Sequence, residues 1–425
     1  MIERIISWSI HNRFFVWVGI VMIVAGGTWA IFTTPVDAIP DLSENQVIIY
    51  TEWMGRNPKI MEDQVTYPLV SNLQGLPRVK SIRASSMFGM SFVFVVFQDD
   101  VDIYWARTRV LERLNYAQRL LPAGVMPAIG PDGTGVGHIF WYTLDAPGYN
   151  LGEQRALQDW YIKFALQNTE GVSEVASFGG FEKQYQVTIN PQKLVYYNIP
   201  LMDVTDAIGA NNRDVGGSNF EMNGMSFLVR GLGYIKTIDD IKNMTVGTYH
   251  SIPIRISDVS DVQVTGDLRL GITDVNGEGE VVGGIVVMRY GENAKTVIDK
   301  VKERMKAVEK GLPAGVKFKI AYDRSDLIEA AVTTLKDALW QEILIVSLVV
   351  LVFMFHFRSA AVAIITIPLS VLIGFILMKL SGISLNIMSL GGIALAIGDL
   401  VDAGIVMSEN TYRELTNAVL NKKET

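Results

Sequence analysis

ISLNIMSLGGIALAIGDLVDAGIVMSEN, residues 383–410, sets the class of molecule, and the rest of the chain can be read outward from it. Up to Met407 the stretch is apolar and long enough to cross a bilayer as a helix. It nevertheless contains Asp399 and Asp402, with Glu409 just beyond. A carboxylate is costly inside a bilayer, so it turns toward protein or water and marks a proton or ion path. On a helical period Asp402 and Glu409 lie about 20° apart around the axis, and Asp399 about 60° to one side of Asp402, which makes one polar stripe. Gly391, Gly392, Gly398 and Gly404 would let neighbouring helices approach closely and so enclose that stripe in a bundle. In the plainer alternative Glu409 and Asp399 are hydrated near a helix end, a reading that suits Asp402 least.

Upstream, three more apolar segments predict spans at 14–32, 339–357 and 360–378, with 383–407 as the fourth. Residues 1–13 have the pattern of a short interfacial helix, and 408–425 form a tail. The apolar run at 14–32 exceeds the core of a cleaved signal peptide, so a retained anchor is expected. Arg4 and Arg13 ahead of it place the N-terminus in the cytoplasm. His356 and Arg358 then fall at a cytoplasmic turn, and Arg413, Lys422 and Lys423 return the end to that side. Lys379, at an outer turn, departs mildly from the rule.

Between the first two spans lies a long polar stretch with alternating strand and helix patterns. Strands are expected at 46–53, 79–86 and 91–98, and helices at 58–74 and 103–120. The second helix ends in LPAGV, 121–125, and the same five letters recur at 312–316 after a helical pattern at 293–310. One α/β unit used twice is the reading. The second copy takes strands 138–145, 172–178, 184–190, 281–289 and 316–322, with helices at 151–168 and 293–310. Each copy follows a βαβ-βαβ, ferredoxin-like pattern. The expected divisions are 33–133 for the first copy, 134–190 with 276–338 for the second, and 191–275 as an inserted piece with its own helix near 201–210.

The 425 residues carry a net charge of −7 and no basic run, so nucleic acid is not an expected partner. No cysteine is present, which excludes thiol catalysis and thiolate metal sites and is compatible with an oxidising compartment. There is no phosphate-loop motif, and the glycines at 133, 135 and 137 lack the strand-to-helix setting of a dinucleotide site. The four histidines form no close pair. An enzyme is therefore not indicated. Seventeen methionines, among them Met87 with Met90 and Met222 with Met225, offer soft thioether sulfur of the kind that suits Cu(I) and Ag(I), although methionine also fills gaps in cores.

Four stretches give the chain a family resemblance: TPVDAIPDLSENQV (34–47), GPDGTGVGHIFWY (130–142), NGEGEVVGGIVVMRYGENA (276–294) and NIMSLGGIALAIGDLVDAGIVMSEN (386–410). Together they resemble the first half of a heavy-metal resistance-nodulation-division (RND) efflux pump of the CusA/CzcA type. The resemblance implies an inner-membrane homotrimer in the lipid bilayer, driven by the proton-motive force, that works with a periplasmic adaptor and an outer-membrane channel. It implies that the two α/β copies are pore-forming (porter) subdomains and that 191–275 is a docking part. Proton-relay positions carry over to Asp402 and Glu409, with Asp399 as an additional acid where a small residue is expected. Ala396 stands where cobalt/zinc/cadmium pumps have a further acid, which favours the copper/silver branch. Met388 and Met407 match a thioether path of that branch, whereas Leu400 breaks it. The alternatives are export of divalent Zn, Co or Cd, export of an organic compound, and a truncated membrane protein that only binds an adaptor or senses a ligand. A complete pump of this type carries a second, similar half, and the lysine partner of the relay would lie there.

Overall fold

The computed structural model describes residues 2–267, 269, 271–354 and 357–421. His356, Lys422 and Lys423 lie outside the described residues. The chain divides into two compact units, one comprising 1–143, 163–176 and 284–425, the other 144–162 and 177–283.

The first unit opens with helix Ile2–His11 and the apolar helix Arg13–Thr33. Its first sheet contains β1 (Gln46–Glu52), β2 (Val79–Met87), β3 (Met90–Phe97) and β4 (Pro127–Ile129), in the order β2-β3-β1-β4. Alternation decides which face is covered. Val47 and Ile49 of β1 and Val93, Val95 and Phe97 of β3 point into a core with Met61, Val65, Leu69 and Leu73 from the helical stretch 58–73. Ala106, Val110, Leu114 and Ala117 of helix Ile103–Ala117 complete that core, at the four-residue spacing that keeps one helix face inward. Asn57 and Asp102 cap these helices through their side chains.

The second sheet uses β5 (His138–Asp145), β6 (Val172–Phe178), β13 (Gly283–Met288) and β14 (Lys317–Asp323), in the order β14-β5-β13-β6. Counted within each copy, both sheets place the fourth strand beside the first, then the third, then the second. The helix that follows the first strand of each copy contains a widened π turn, Glu62–Thr66 in one and Gln158–Ile162 in the other. LPAGV folds alike both times. The Val125 and Val316 amides donate to the carbonyls of Pro122 and Pro313, and Gly124 and Gly315 sit at φ +83 and +91, where a side chain would be strained.

In the second unit the strand expected at 184–190 corrects the sequence reading. This strand, β7 (Lys183–Ile189), pairs along its whole length with β12 (Ser260–Gly266) and takes no place in the second copy's four-stranded sheet. Its alternating pattern made it a strand but could not name its partner. Between them lie the hairpin β8 (Val215–Met222) and β9 (Met225–Gly231), the pair β10 (Thr245–Tyr249) and β11 (Ile252–Arg255), and a core that includes Val204, Ile241, Ile256 and Val259.

The first unit closes with helices Arg324–Met354, Phe357–Leu380 and Ile387–Asn421. Among the described residues one helix, Arg13–Thr33, is long and apolar enough by itself to cross a membrane, and Ile365–Leu380 and Ile387–Leu400 are shorter apolar stretches. The close helix approach expected at the glycines of 391–398 occurs elsewhere. A Cβ on Gly27 would lie 2.6 Å from Leu372, whereas at Gly391, Gly392 and Gly398 it would meet none of the described residues within 4 Å.

Candidate functional site

The terminal helix starts on a reciprocal cap. The Asn386 side chain accepts from the Met388 and Ser389 amides at 3.0 and 2.9 Å, while the Asn386 amide donates to Ser389 Oγ at 2.9 Å. This explains why Asn-Ile-Met-Ser opens the segment: a buried asparagine satisfies amides that no preceding turn can reach. The helix carries Met388, Asp399, Asp402, Met407 and Glu409, all five exposed. Among the described residues none of the three acids is ion-paired. The chain thus presents its acid stripe uncovered, on a helix whose neighbouring glycines Gly391, Gly392 and Gly398 face open space. The two methionines are nineteen positions apart on this helix and form no pair.

Ahead of the cap, residues 383–387 are bonded to the segment that leaves the first helix. Val36 and Leu385 form a parallel bridge, Asp37 N donates to Leu385 O and Leu385 N to Pro35 O, each at 2.9 Å, and Ile387 N reaches Ala38 O at 3.3 Å. Lys379 donates to Thr33 O at 2.6 Å and lies 5.7 Å from the Trp29 ring centroid. A lysine that looked out of place by side-of-membrane counting therefore caps the carbonyl end of the first helix, where its charge meets the negative end of the helix dipole.

Sequence reading did not single out Arg324, the first residue of helix Arg324–Met354. Its guanidinium is buried and donates to Val136 O just before β5, and Nη2 lies 2.9 Å from Asp37 Oδ1 in an ion pair. Among the described residues Nε and Nη2 meet no well-aligned hydrogen-bond acceptor. Burial pushes the Asp37 carboxyl above its ordinary range, and the Arg324 charge offsets this only in part. Next to it, burial of Asp323 is outweighed by hydrogen bonds from Lys302 and from Ser325, which hold its carboxyl below the usual range. The only sequence signal was an Asp-Arg-Ser at the end of a strand and the start of a long helix. The passage at 33–38 is thus bonded both to 323–325 and to 383–387, and each of the three joins a sheet or a loop to a long helix.

A cavity of about 710 Å³ lies between the loops 41–46 and 131–135, with Asp41, Glu44, Asp99, Asp132, Lys80 and Arg107 among its walls. Three of its four acids are already engaged. Asp41 accepts from Thr134, Glu44 pairs with Arg83, and Asp132 accepts from Ser173 and Tyr104 beside Arg289. Through Asp41, Glu44 and Asp132 this cavity fastens loops together.

An apolar N-terminal helix, two sheets of one strand order with a module inserted in the second copy, and three closing helices with acids on the last define the RND class. Within it the chain belongs to the AcrB/AcrD/AcrF family, whose profile matches residues 5–425. It is 47% identical over 418 residues to cation efflux system protein CusA of Escherichia coli (strain K12), a match that covers 98% of this chain and 40% of the relative. It is 37% identical over 427 residues to cobalt-zinc-cadmium resistance protein CzcA of Cupriavidus metallidurans, again covering 98% and 40%. The crystal structure of a heavy metal efflux pump superposes with a TM-score of 0.85 at 32% identity, covering 99% of this chain and 42% of that one. The kinship with heavy-metal RND pumps expected from the four motifs is borne out. The chain spans about two fifths of the length of the relatives it matches.

Proposed function

We propose that this chain is the first half of a proton-driven exporter of soft metal cations, Cu(I) and Ag(I), in the bacterial inner membrane. It crosses the bilayer four times, forms a homotrimer, and hands its cargo to a periplasmic adaptor and an outer-membrane channel. The two repeated sheets act as porter subdomains, and the module between β7 and β12 as the docking part. The observation that carries this reading is the acid stripe of Asp399, Asp402 and Glu409, on a helix whose first half is otherwise apolar, with all three acids exposed. Acids so placed need a polar partner, and a segment beyond these residues is where one would come from.

Exposed aromatic residues support the membrane reading. Trp8, Phe14, Phe15 and Trp17 cluster near one end of the first apolar helix, and Trp29 and Phe32 near the other, as in the two interfacial belts of a spanning helix. Soft cations are favoured by higher identity to CusA than to the cobalt-zinc-cadmium protein and by Ala396 in place of an acid. Leu400, where a methionine would continue a thioether path through Met388 and Met407, is a departure that favours the divalent alternative.

Protonation of Asp402 removes a charge from the helix, and deprotonation requires a cation or water to offset desolvation, so the two states favour different helix packings. A shift of the terminal helix pulls on 383–387, hence on 35–38, and through Asp37 and Arg324 on the strands of the second sheet. In liposomes holding the complete protein, Asp402→Asn is expected to abolish metal-driven proton flux while the protein stays folded. Undiminished flux sinks the proposal. Cells carrying the complete frame should gain resistance to silver and copper; a gain confined to zinc and cobalt selects the divalent reading.

A further inference from the structure

Two hairpins of this chain are built on the same four-letter turn, Met-Xaa-Gly-Met, at 87–90 and 222–225. In each the two methionines are direct cross-strand partners, Met87 with Met90 and Met222 with Met225. Residues paired in this way stand on one face of the hairpin with their Cβ atoms about 4.5–5.5 Å apart. Two flexible side chains that start this close can bring their sulfurs to a common point.

At the first turn a third thioether joins them. Met54 lies over the turn, with its Sδ 3.0 Å and its Cα 3.3 Å from where a Cβ on Gly89 would stand. Backbone bonds hold it there, since Trp53 N donates to Gly89 O and Gly89 N to Arg56 O, both at 2.8 Å. Glycine at 89 is required twice over, by its φ of +70 and by the approach of Met54. Met54 and Met87 are 57% and 53% exposed and Met90 is half-buried, and none of the three belongs to the core beneath. Glu52, the cross-strand partner of Met90, brings a carboxylate to the same face, while the Arg56 guanidinium is held over the Trp53 ring, 4.7 Å from its centroid.

We propose that Met54, Met87 and Met90 form a binding site for a soft monovalent cation, Ag(I) or Cu(I), at the β2–β3 turn. Three neutral thioethers brought around one turn would select a soft ion over Zn(II) or Co(II), which prefer imidazole, carboxylate or thiolate. Thioethers also need no deprotonation, so binding is insensitive to pH across the neutral range. The site stands on the sulfurs alone; that the bound ion is cargo rests on the transport reading. The turn caps the end of β1 opposite the end that follows the first apolar helix.

The test uses the complete protein in detergent, labelled with ¹³C at the methionine methyl groups and titrated with Ag(I). The signals of Met54, Met87 and Met90 are expected to shift together and to saturate together. Leucine matches methionine in size and packing, so Met54→Leu separates binding from packing: it should leave thermal stability unchanged and weaken Ag(I) binding at this turn by about tenfold or more, since even an outer-shell partner of a metal is worth that much. The double variant Met222→Leu, Met225→Leu should leave the first turn's titration unchanged. Unmoved signals at the three methionines while others shift overturn the proposal, as does a Met54→Leu protein that binds Ag(I) as before. A protein that binds silver at this turn yet moves no metal in liposomes would sink the transport reading and leave the site standing.

Discussion

Gly27 and Gly398 show what a single residue contributes. Both sit on apolar helices, yet only Gly27 touches a neighbour, so Gly27→Leu must displace Leu372 and is expected to cost about 1–3 kcal/mol in thermal unfolding of the detergent-solubilised chain. Gly398→Ala meets open space and should instead stabilise by up to about 1 kcal/mol through helix propensity. The acids of the terminal helix were legible in the sequence because a charge in an apolar run stands out. Arg324 was not, because a lone arginine between a strand and a helix reads as surface until the fold buries it. The carboxyls of Asp132 and Asp323 both lie below the usual range despite their burial, held there by hydrogen bonds from Ser173 and Tyr104 in one case and from Lys302 and Ser325 in the other. A depressed acid stabilises the fold above its unfolded pKa and loses that contribution as pH falls through the folded value. Asp323→Asn should therefore lower the melting temperature at pH 7 and make little difference at the acid end, below the depressed value. Asp37, raised by burial, has the opposite sign: its charged form opposes folding above its raised pKa, and that penalty vanishes as pH falls through the raised value toward the ordinary one.

At the scale of elements, alternation and four-residue spacing were enough to locate strands and helices in both copies, because each has one wet and one buried face. The π turns at 62–66 and 158–162 were invisible, since the same residues suit an ordinary helix and only packing widens the turn. The partner of β7 was invisible for a related reason: pairing is settled by the segments brought alongside, here β12, far away in sequence. The repeated LPAGV was the most informative local text, and its glycines carry the cost of the turn. Gly124→Ala and Gly315→Ala should each lose about 1–3 kcal/mol by calorimetry, with no steric clash to blame because both sites are open. Asn386→Ala, which leaves the Met388 and Ser389 amides without an acceptor, should cost about 1 kcal/mol and fray the start of the acid-bearing helix in hydrogen exchange.

For the whole molecule, the feature that looks beyond the chain is the hairpin of β8 and β9. Every residue of both strands is exposed, including Phe220 and Phe227, whose rings stack at 5.3 Å. A lone two-stranded hairpin is marginal in water, so this one is suited to be covered on assembly. On the homotrimer reading proposed above, replacing residues 217–229 with a short loop is expected to reduce the trimer fraction in size-exclusion chromatography while the melting temperature of the monomer stays the same. Length and composition alone could suggest a membrane-anchored, multi-unit protein.

The pairing of β7 with β12 runs from Lys183 opposite Gly266 to Ile189 opposite Ser260, so the chain enters and leaves the inserted module at neighbouring points. Such a module behaves as a cassette. It can be lifted out across a narrow gap or exchanged for a cousin's version without re-threading the sheet that hosts it, which gives evolution a way to vary the insert while leaving the two repeated sheets alone.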